Sequence, residues 1–266
     1  MTTCFNLIII GDEILHGNRT DKHFAFFKSL LESRGFRLNT VQYLPDEREI
    51  LVRQLQRSFA DGLPTFVTGG IGATPDDHTR QSAAAALGKP LVRHPQAAAY
   101  IDTVTLERGQ TLDSPEHHQR LRMADFPEGA DIIENAYNRI AGFSIRQHYF
   151  LPGFPVMASP MAEWVLQRYY AEHFHQRQSD YRATRLFRLS EAQIGPLMEA
   201  WEHRFPGIRT YSLPTVRTQN PDGTENPSFI EFGLKAEGAA CTLLPEAWQL
   251  AMDTFRQMGG ECLPLP

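Results

Sequence analysis

The chain has 266 residues, of which 42% are hydrophobic and 21% are charged, and this composition allows a substantial buried core with room for one large or two modest domains. The net charge of −5 at pH 7 argues against a nucleic-acid-binding protein, because such proteins usually carry a basic patch. The apolar run from Phe5 to Ile10 is too short to span a membrane, and no positively charged segment precedes it. The scattered cysteines Cys4, Cys241 and Cys262 fit a reducing compartment, so we expect a cytoplasmic protein without a thiolate zinc site.

The first third of the chain alternates short apolar runs with amphipathic segments, which is typical of a sheet built from strand–helix–strand units. We predict three strands in this region, over residues 7–10, 36–43 and 65–68. Two helices are predicted between them. Asp21 is placed to cap the first, and Asp46 is placed to cap the second, with a glutamate three residues later in capping-box position. The inward face of the first helix is predicted to consist of Phe24, Phe27, Leu30 and Leu31.

A glycine-rich loop follows the third predicted strand, at the carboxyl edge of the sheet where open α/β folds bind ligands. It reads Gly69-Gly70-Ile71-Gly72-Ala73-Thr74-Pro75-Asp76-Asp77, and a helix is predicted over residues 77–87. Bare glycine backbone lets N–H groups turn toward an anion, and the positive end of a following helix adds to that attraction. Carboxylates repel phosphates, so the two adjacent aspartates indicate a divalent cation that bridges them to a phosphate. The alternative is a plain tight turn before an ordinary helix start, since glycine motifs also occur without a ligand.

The middle of the chain is predicted to complete this sheet and to cover its ligand edge. Residues 90–122 look helical and polar, and we place them as a cap over the pocket. A further strand is predicted over residues 145–151, leading into a turn rich in proline and glycine, residues 151–155, as a second wall of the site. A helix is expected to follow through residues 161–170.

The sequence loses its periodicity over residues 176–180, which we interpret as a linker to a smaller domain. Two helices against a small antiparallel sheet are predicted there, with a polar loop over residues 218–227. The strands are placed at residues 182–189, 208–213 and 229–235, and the helices at residues 191–205 and 244–258.

Ten histidines raise the alternative of a metal site, above all the pairs His117-His118 and His173-x-His175. Neither pair has a carboxylate at the spacing of zinc enzymes, so we interpret both as solvated surface. His78 lies on the predicted pocket helix, where we interpret it as a plain helix position.

Five motifs follow one another along the first part of the chain. They are Gly11-Asp12-Glu13-Ile14-Leu15-x-Gly17, then Asp21, then Leu44-Pro45-Asp46, then Thr68-Gly69-Gly70-Ile71-Gly72 with Asp76-Asp77-x-Thr79, and finally Leu151-Pro152-Gly153. Their order and spacing resemble competence/damage-inducible protein A (CinA) and the wider molybdopterin-binding fold shared with the MoaB and Mog proteins. The resemblance covers about residues 5–170, and residues 184–191 resemble the start of the smaller domain that follows in CinA-type proteins.

The resemblance implies an α/β fold, with a three-layer MoaB/Mog-like domain and mostly parallel sheet over residues 1–175 and a small α+β accessory domain over residues 181–266. Many CinA proteins carry a further amidohydrolase domain, which is not expected here because the sequence ends at Pro266. Deamidation of nicotinamide mononucleotide is therefore not expected either. Relatives of this fold form dimers or trimers, so the resemblance also implies a homo-oligomer.

The resemblance further implies a site for a phosphorylated small molecule, either a pterin or a dinucleotide pyrophosphate. In Mog-type enzymes the aspartates that match Asp46 and Asp77 serve adenylyl transfer to molybdopterin, whereas CinA-type proteins hydrolyse pyrophosphates such as ADP-ribose with a divalent metal. Asp46 and Asp77 would then be the catalytic carboxylates. The ligands of a Mg²⁺ or Co²⁺ ion would be Asp12, Asp46, Asp76 and Asp77. The phosphate-binding residues would be Gly69, Gly70, Gly72, Thr74, Thr79 and Gly153.

The chain departs from the family pattern around this site. Lys22-His23 stands where relatives have Thr-Asn, and the two side chains would face solvent or, if they face the pocket, add positive charge to it. Gln81 and Met157 stand where glutamates are expected, and the Asn-Pro-x-Gly wall reads Asn135-Ala136-Tyr137-Asn138. Loss of carboxylates weakens metal affinity or changes its geometry.

Three functions therefore stay open. The first is a metal-dependent nucleotide pyrophosphatase acting on ADP-ribose or FAD-like substrates. The second is a molybdopterin-binding or adenylyl-transfer protein of molybdenum cofactor biosynthesis, and the third is a non-catalytic module that binds a nucleotide or a pterin. The expected partner is a phosphorylated small molecule, with no nucleic acid and no membrane.

Overall fold

The computed structural model describes residues 4–176, 178–216, 218–219 and 225–265. The chain divides into two compact units, Met1–His175 and Gln176–Pro266. The strands of the first unit are β1 (Cys4–Ile10), β2 (Arg37–Leu44), β3 (Thr65–Thr68), β4 (Leu91–Arg93), β5 (Asp125–Pro127), β6 (Asp131–Ile133), β7 (Gly142–Ile145) and β8 (His148–Leu151). Its helices are α1 (Asp12–Leu15), α2 (His23–Ser33), α3 (Arg48–Asp61), α4 (Thr79–Ala86), α5 (Pro95–Glu107), α6 (Pro115–Leu121) and α7 (Pro155–Tyr170), with 3₁₀ turns at Arg122–Ala124 and Ala171–His173.

A six-stranded sheet forms the centre of the first unit, in the order β2-β1-β3-β8-β7-β6. The pairs β1–β2, β1–β3 and β3–β8 are parallel, whereas β7 and β6 continue the sheet in antiparallel fashion. Ile9 pairs with Thr68, and Thr68 pairs with Leu151, so β1, β3 and β8 end side by side. The mostly parallel α/β sheet that the sequence predicts is confirmed.

Helices cover both faces of this sheet. Successive residues of β1 point to opposite faces, so Leu7 and Ile9 pack with α2 and α7, whereas Ile8 and Ile10 pack with α3, α4 and α5. β1 is therefore a continuous apolar run, as expected of a strand that is buried on both faces. The arrangement is the three-layer fold that the family resemblance implies.

The two predicted helix caps had different outcomes. Asp21 caps α2, because its carboxylate accepts hydrogen bonds from the N–H groups of His23 and Phe24 at 2.8 and 3.1 Å. Phe24 is 42% exposed, so its predicted place on the inward face is wrong, because the ring of His23 takes the buried position in the first turn. The predicted capping box at Asp46 is also wrong, since α3 begins at Arg48 and the Asp46 carboxylate binds a different loop.

The predicted single strand over residues 145–151 is wrong. The chain reverses there, and β7 pairs with β8 as an antiparallel hairpin. Arg146 and Gln147 form the turn with φ values of 48° and 59°, which are the left-handed values that a type I′ turn needs. The segment 90–122 is likewise not helical throughout, because β4 pairs with β5.

The second unit has its own strands and helices. They are β9 (Ser179–Phe187), β10 (Ile208–Pro214), β11 (Thr218–Gln219), β12 (Glu225–Asn226), β13 (Ile230–Glu237) and β14 (Glu261–Leu263), with α8 (Glu191–Arg204), α9 (Leu244–Gln257) and a 3₁₀ turn at Gly238–Leu243. An antiparallel sheet has the order β10-β13-β9-β14, and β11 pairs with β12. Trp201 of α8, Phe232 of β13 and Phe255 of α9 share one core. Two helices therefore pack with an antiparallel sheet, as predicted.

Two predicted segments of this region lie partly outside the residues that the structure describes. β9 begins at Ser179, inside the predicted linker, and Arg177 lies outside the described residues. The predicted loop over residues 218–227 also falls partly outside them. Across the ranges that the structure describes, no helix combines the length and the apolar character needed to cross a bilayer.

Candidate functional site

The ends of β1, β3 and β8 open into a pocket of about 540 Å³. It is lined by the segment after β1, Asp46 after β2, the loop after β3, the loop between β6 and β7, the turn after β8, and residues of the α5–α6 region. We call residues 69–77 the glycine loop and residues 152–154 the second wall. The pocket lies at the carboxyl edge of the sheet, and the segment predicted as a cap, residues 90–122, contributes to its lining.

Two residues of the glycine loop require glycine. Gly69 has a φ of 100°, and a Cβ there would overlap the carbonyl oxygen of Ile10. Gly70 has a φ of 66°, and a Cβ there would overlap Oγ1 of Thr79 and lie 3.3 Å from Oδ1 of Asp46. Glycine alone combines the left-handed backbone with so close an approach. The backbone of the loop therefore lies directly beside Asp46.

Asp77 is hydrogen-bonded to the backbone of the glycine loop. Its carboxylate oxygens accept hydrogen bonds from the N–H groups of Gly72 and Thr74, both at 2.9 Å, and Oδ2 also accepts the hydroxyl proton of Thr74 at 2.5 Å. α4 begins at Thr79 and not at Asp77, where the sequence predicts its start. The N–H groups of Gly72 and Thr74, predicted as phosphate donors, are thus bound by the protein itself, and Asp77 supports the loop.

The remaining N–H groups of the glycine loop differ in their partners. Gly69 donates to the last carbonyl group of β8 at 3.0 Å, and its own carbonyl oxygen accepts the buried hydroxyl of Thr79 at 2.9 Å. Among the described residues, none accepts a hydrogen bond from the N–H groups of Gly70, Ile71 or Ala73, and all three residues line the pocket. Three main-chain donors are therefore free to bind an anion. The sequence predicts only Gly70 among them, because isoleucine and alanine carry no phosphate-binding signal.

The carbonyl groups of the glycine loop are fixed by neighbouring elements. Arg80 is buried and donates to the carbonyl oxygens of Gly72 and Arg122, and burial lowers its pKa. Gln119 of α6 donates to the carbonyl oxygen of Ala73. These bonds hold the loop in one conformation, so its free N–H groups keep defined positions.

The second wall is positioned by two close contacts. Gly153 packs so tightly against the glycine loop that a Cβ on it would lie 3.3 Å from Cα of Gly69. His23 faces neither solvent nor the pocket, because it is buried and its Nε2 lies 3.1 Å from the carbonyl oxygen of Gly153. Lys22 is exposed. Gly153 therefore shapes the pocket by packing, and its contact with phosphate stays a prediction.

Asp46 joins two loops at the acidic part of the pocket. Its Oδ2 accepts the N–H of Asp12 at 3.0 Å, and its own N–H lies 3.4 Å from Oδ1 of Asp12. Burial raises the pKa of Asp46, the negative charges of Asp12, Glu13 and Asp76 raise it further, and the hydrogen bond from Asp12 lowers it. The pKa of Asp76 is lowered, chiefly by its polar contact with the Thr74 side chain. The fold thus concentrates negative charge around Asp46.

The four predicted metal ligands lie near one another without forming a cage. Asp46, Asp76 and Asp77 line the pocket, and Asp12 is hydrogen-bonded to Asp46. Nowhere in the described part of the chain do three or more Asp, Glu, His or Cys side chains converge so that they could hold an ion. Mg²⁺ is usually held by one or two carboxylates together with substrate phosphates. The carboxylate oxygens of this pocket therefore fit an ion whose coordination shell is completed by the phosphate oxygens of a ligand.

Three arginines bring positive charge to the same pocket. Arg19 lies 3.5 Å from a carboxylate oxygen of Glu13, and its Cζ is 5.8 Å from the ring centroid of Phe154. Arg108, which follows α5, and Arg120 of α6 line the pocket as well. None of them is predicted from the sequence, because isolated arginines in a polar segment look like solvated surface. The pocket presents both carboxylates and guanidinium groups to a ligand.

The interpretation of His117 as solvated surface is wrong. Its side chain is 2% exposed, with Nε2 3.2 Å from Oδ1 of Asp102 and Nδ1 2.9 Å from Oγ1 of Thr105. Both partners lie on α5, outside the spacing of any zinc motif, so the local pattern could not reveal them. His118 is exposed, as predicted.

Residues 6–172 match the family described as "Probable molybdopterin binding domain". The chain belongs to this molybdopterin-binding family. The matched residues include the whole pocket lining, from Ile10 to Met157. The predicted resemblance to CinA-like proteins and to the MoaB/Mog fold is confirmed.

Relatives of this molybdopterin-binding-family protein include CinA-like proteins. The one from Geobacter sp. (strain M21) is 30% identical over 199 residues, which cover 73% of this chain and 47% of the relative. The one from Desulforapulum autotrophicum is 27% identical over 213 residues, which cover 76% of this chain and 49% of the relative. The chain spans about half the length of these curated relatives. The crystal structure of the protein CinA from Thermoplasma acidophilum has a TM-score of 0.55 at 24% identity, covers 63% of this chain and 97% of its own, and supports the fold.

Proposed function

We propose that this molybdopterin-binding-family protein is a divalent-metal-dependent nucleotide pyrophosphatase that acts on ADP-ribose or FAD-like substrates. The observation that carries the proposal is the meeting of free main-chain N–H groups and clustered carboxylates in one pocket. Gly70, Ile71 and Ala73 offer donors for phosphate oxygens, while Asp46 and Asp76 place negative charge beside them. Carboxylates beside a phosphate are favourable only when a cation lies between the two.

The oxygen donors of the pocket suit Mg²⁺ or Co²⁺. Oδ2 of Asp46 accepts the N–H of Asp12, whereas Oδ1 is turned toward Gly70. We assign Oδ1 of Asp46 and the carboxylate of Asp76 as the protein ligands, with phosphate oxygens of the substrate completing the shell. A bound ion would neutralise phosphate charge and polarise the phosphorus centre. Asp77 is assigned to holding the loop, because loop donors already bind its oxygens.

The proposed reaction adds water across the pyrophosphate bond. The water oxygen bonds to one phosphorus, the bridging P–O bond breaks, and the released proton passes to a product phosphate, so ADP-ribose yields AMP and ribose 5-phosphate. The free N–H groups of the glycine loop would stabilise charge that develops on the phosphate oxygens. The pocket volume of about 540 Å³ lies in the usual range for small-molecule sites.

The test is the release of AMP from ADP-ribose and from FAD by the purified full chain, with Mg²⁺ or Co²⁺ and with EDTA. We expect weak release that requires the metal, because Gln81 and Met157 replace family carboxylates. The Asp46→Asn variant keeps an oxygen for the Asp12 N–H but removes the charge, so we expect its rate to fall by at least about a hundredfold.

The matched control is Asp61→Asn, which removes the same charge at an exposed position at the end of α3. Its rate should equal that of the wild-type protein. AMP release that persists in EDTA, or that runs at the wild-type rate in Asp46→Asn, would overturn the proposal.

Molybdopterin binding or adenylyl transfer is the second candidate, favoured by the family description of residues 6–172. The free N–H groups of the glycine loop would serve a pterin phosphate equally well. Mass spectrometry of the small molecules that copurify with the protein separates the candidates. A pterin would favour this second function, and a nucleotide would favour the pyrophosphatase.

A further inference from the structure

A chain of polar side chains links α5 to α6 and ends at Arg120 in the pocket lining. Arg120 donates from Nη1 to Oγ1 of Thr105 at 2.8 Å. The same oxygen lies 2.9 Å from Nδ1 of His117, whose Nε2 lies 3.2 Å from Oδ1 of Asp102. Thr105 is 0% exposed and His117 is 2% exposed. Four side chains therefore form one continuous series of hydrogen bonds that reaches the pocket.

Donor chemistry fixes the direction of the bonds at both ends of this series. Arg120 can only donate, so the Thr105 oxygen accepts from it. Nε2 of His117 donates to the Asp102 carboxylate, and Nδ1 of the same ring bonds to the Thr105 hydroxyl. Each side chain orients the next, and the last bond fixes one end of the Arg120 guanidinium.

Arg120 also has unused donors. Its Nη2 donates to Oε1 of Gln110, so only part of the five N–H donors of a guanidinium is bound within the protein. Considering the described residues alone, no Asp or Glu side chain forms an ion pair with Arg120. A guanidinium that is held in place, lacks an acidic partner and lines a pocket with free N–H groups is suited to bind an oxyanion.

We propose that Arg120 binds a phosphate oxygen of the pocket ligand, and that Thr105 and His117 are positioning residues that hold its guanidinium for this contact. The inference rests on the proposed function only in that the ligand carries phosphate. The glycine loop and α6 would then contact different oxygens of one diphosphate, which explains why both anion donors and an unpaired arginine line the same pocket.

The test measures the binding of two probes, inorganic pyrophosphate and ADP-ribose, to the full chain in Mg²⁺ by titration calorimetry. Arg120→Gln removes the charge, Thr105→Val removes the hydroxyl at nearly constant volume, and Thr105→Ser retains it. We expect the Kd for both probes to rise about tenfold in Arg120→Gln and about fivefold in Thr105→Val, and to stay within about twofold of the wild-type value in Thr105→Ser. The matched control Arg168→Gln removes an exposed arginine of α7 that does not line the pocket, and it should bind as the wild type does.

Thermal melting of each variant separates positioning from folding. If the hydrogen bonds of Thr105 served only to stabilise the fold, Thr105→Val would lower the melting temperature without changing the affinity of the folded protein. That result would overturn the positioning role. If Thr105→Val does not fold, Thr105→Ala removes the same hydroxyl in a smaller side chain, and the same rise in Kd is expected of it. An unchanged Kd in a folded Thr105→Ala would overturn the positioning role.

Three binding results would contradict the Arg120 assignment. They are an unchanged pyrophosphate affinity in Arg120→Gln, a loss confined to ADP-ribose, which would place Arg120 on the ribose or the base, and an absence of pyrophosphate binding in the wild-type protein. Wild-type binding without AMP release would instead contradict the proposed hydrolase and leave the Arg120 contact standing.

Discussion

Asp46 carries a negative charge that its surroundings disfavour. Burial raises its pKa, and Asp12, Glu13 and Asp76 add repulsion. A folded-state pKa above the ordinary value means that the neutral carboxyl stabilises the fold at low pH, and that this contribution is lost as the pH rises through the folded pKa. A cation bound at Asp46 would remove the repulsion. The unfavourable charge of Asp46 in the free protein is therefore consistent with its proposed role as a metal ligand.

Asp46→Asn is therefore predicted to raise the free energy of unfolding near neutral pH. The gain should be at most about 1 kcal/mol, because a half-exposed carboxylate is screened by solvent. It should disappear in acid, where Asp46 is protonated in the folded and the unfolded protein. Urea unfolding at the two pH values, with Asp61→Asn as the control, measures it, and a destabilised Asp46→Asn near neutral pH would contradict the crowding of charge.

Gly70 and Gly62 form a matched pair for the close approach of the glycine loop. Their φ values are 66° and 68°, but a Cβ at Gly62 would meet nothing within 4 Å, whereas one at Gly70 would overlap Thr79. We expect Gly62→Ala to lower the free energy of unfolding by about 1 kcal/mol, from backbone strain, and Gly70→Ala to lower it by about 3 kcal/mol. Equal losses in urea unfolding would mean that the loop has room for a side chain.

The β7–β8 hairpin shows which elements the sequence could predict. β1 and β3 were predictable because each is a short buried run in a region where apolar runs alternate with amphipathic segments. The hairpin was not, because its strands are short and adjacent, and because Arg146 and Gln147 adopt positive φ without the usual asparagine or glycine. In the sequence the two short strands therefore read as one continuous strand.

Replacement of Arg146-Gln147 by Asn-Gly is predicted to stabilise this hairpin by about 1 kcal/mol, because the new residues prefer the φ values that the turn already has. The main-chain bond from Thr65 N–H to the carbonyl oxygen of residue 147, 3.0 Å long, needs no side chain and should survive. The midpoint of urea unfolding measures the gain. A lower midpoint would show that the arginine and glutamine side chains stabilise the turn.

β8 begins with a buried histidine that stays neutral. Nε2 of His148 lies 2.7 Å from Oγ of Ser58, and burial lowers the pKa of His148 from 6.5 to about 4. A lowered histidine pKa means that the stability is present above the ordinary pKa and is lost as the pH falls toward the folded pKa. We expect a loss of up to about 3 kcal/mol across this range in the wild type, and a flatter dependence in His148→Gln. Equilibrium unfolding across that pH range measures both proteins, and parallel curves would contradict the burial of a neutral ring.

At the scale of the whole molecule, the pocket is assembled from segments that lie far apart in the chain. The glycine loop and its place at the sheet edge were predictable because both follow from local patterns. The bonds that Asp46, Arg80 and Arg120 make were not, because their partners lie 34, 42 and 15 residues away. All residues of the pocket lining belong to the first compact unit, so the proposed function belongs to that unit.

Titration of ADP-ribose into the wild-type chain, with and without Mg²⁺, tests the central claim most directly. That claim is that a divalent ion joins Asp46 and Asp76 to the phosphates of the ligand. We expect Mg²⁺ to strengthen ADP-ribose binding by at least about tenfold in the wild type and to have little effect in Asp46→Asn. Equal affinity in the presence and absence of Mg²⁺ in the wild-type protein would contradict the account.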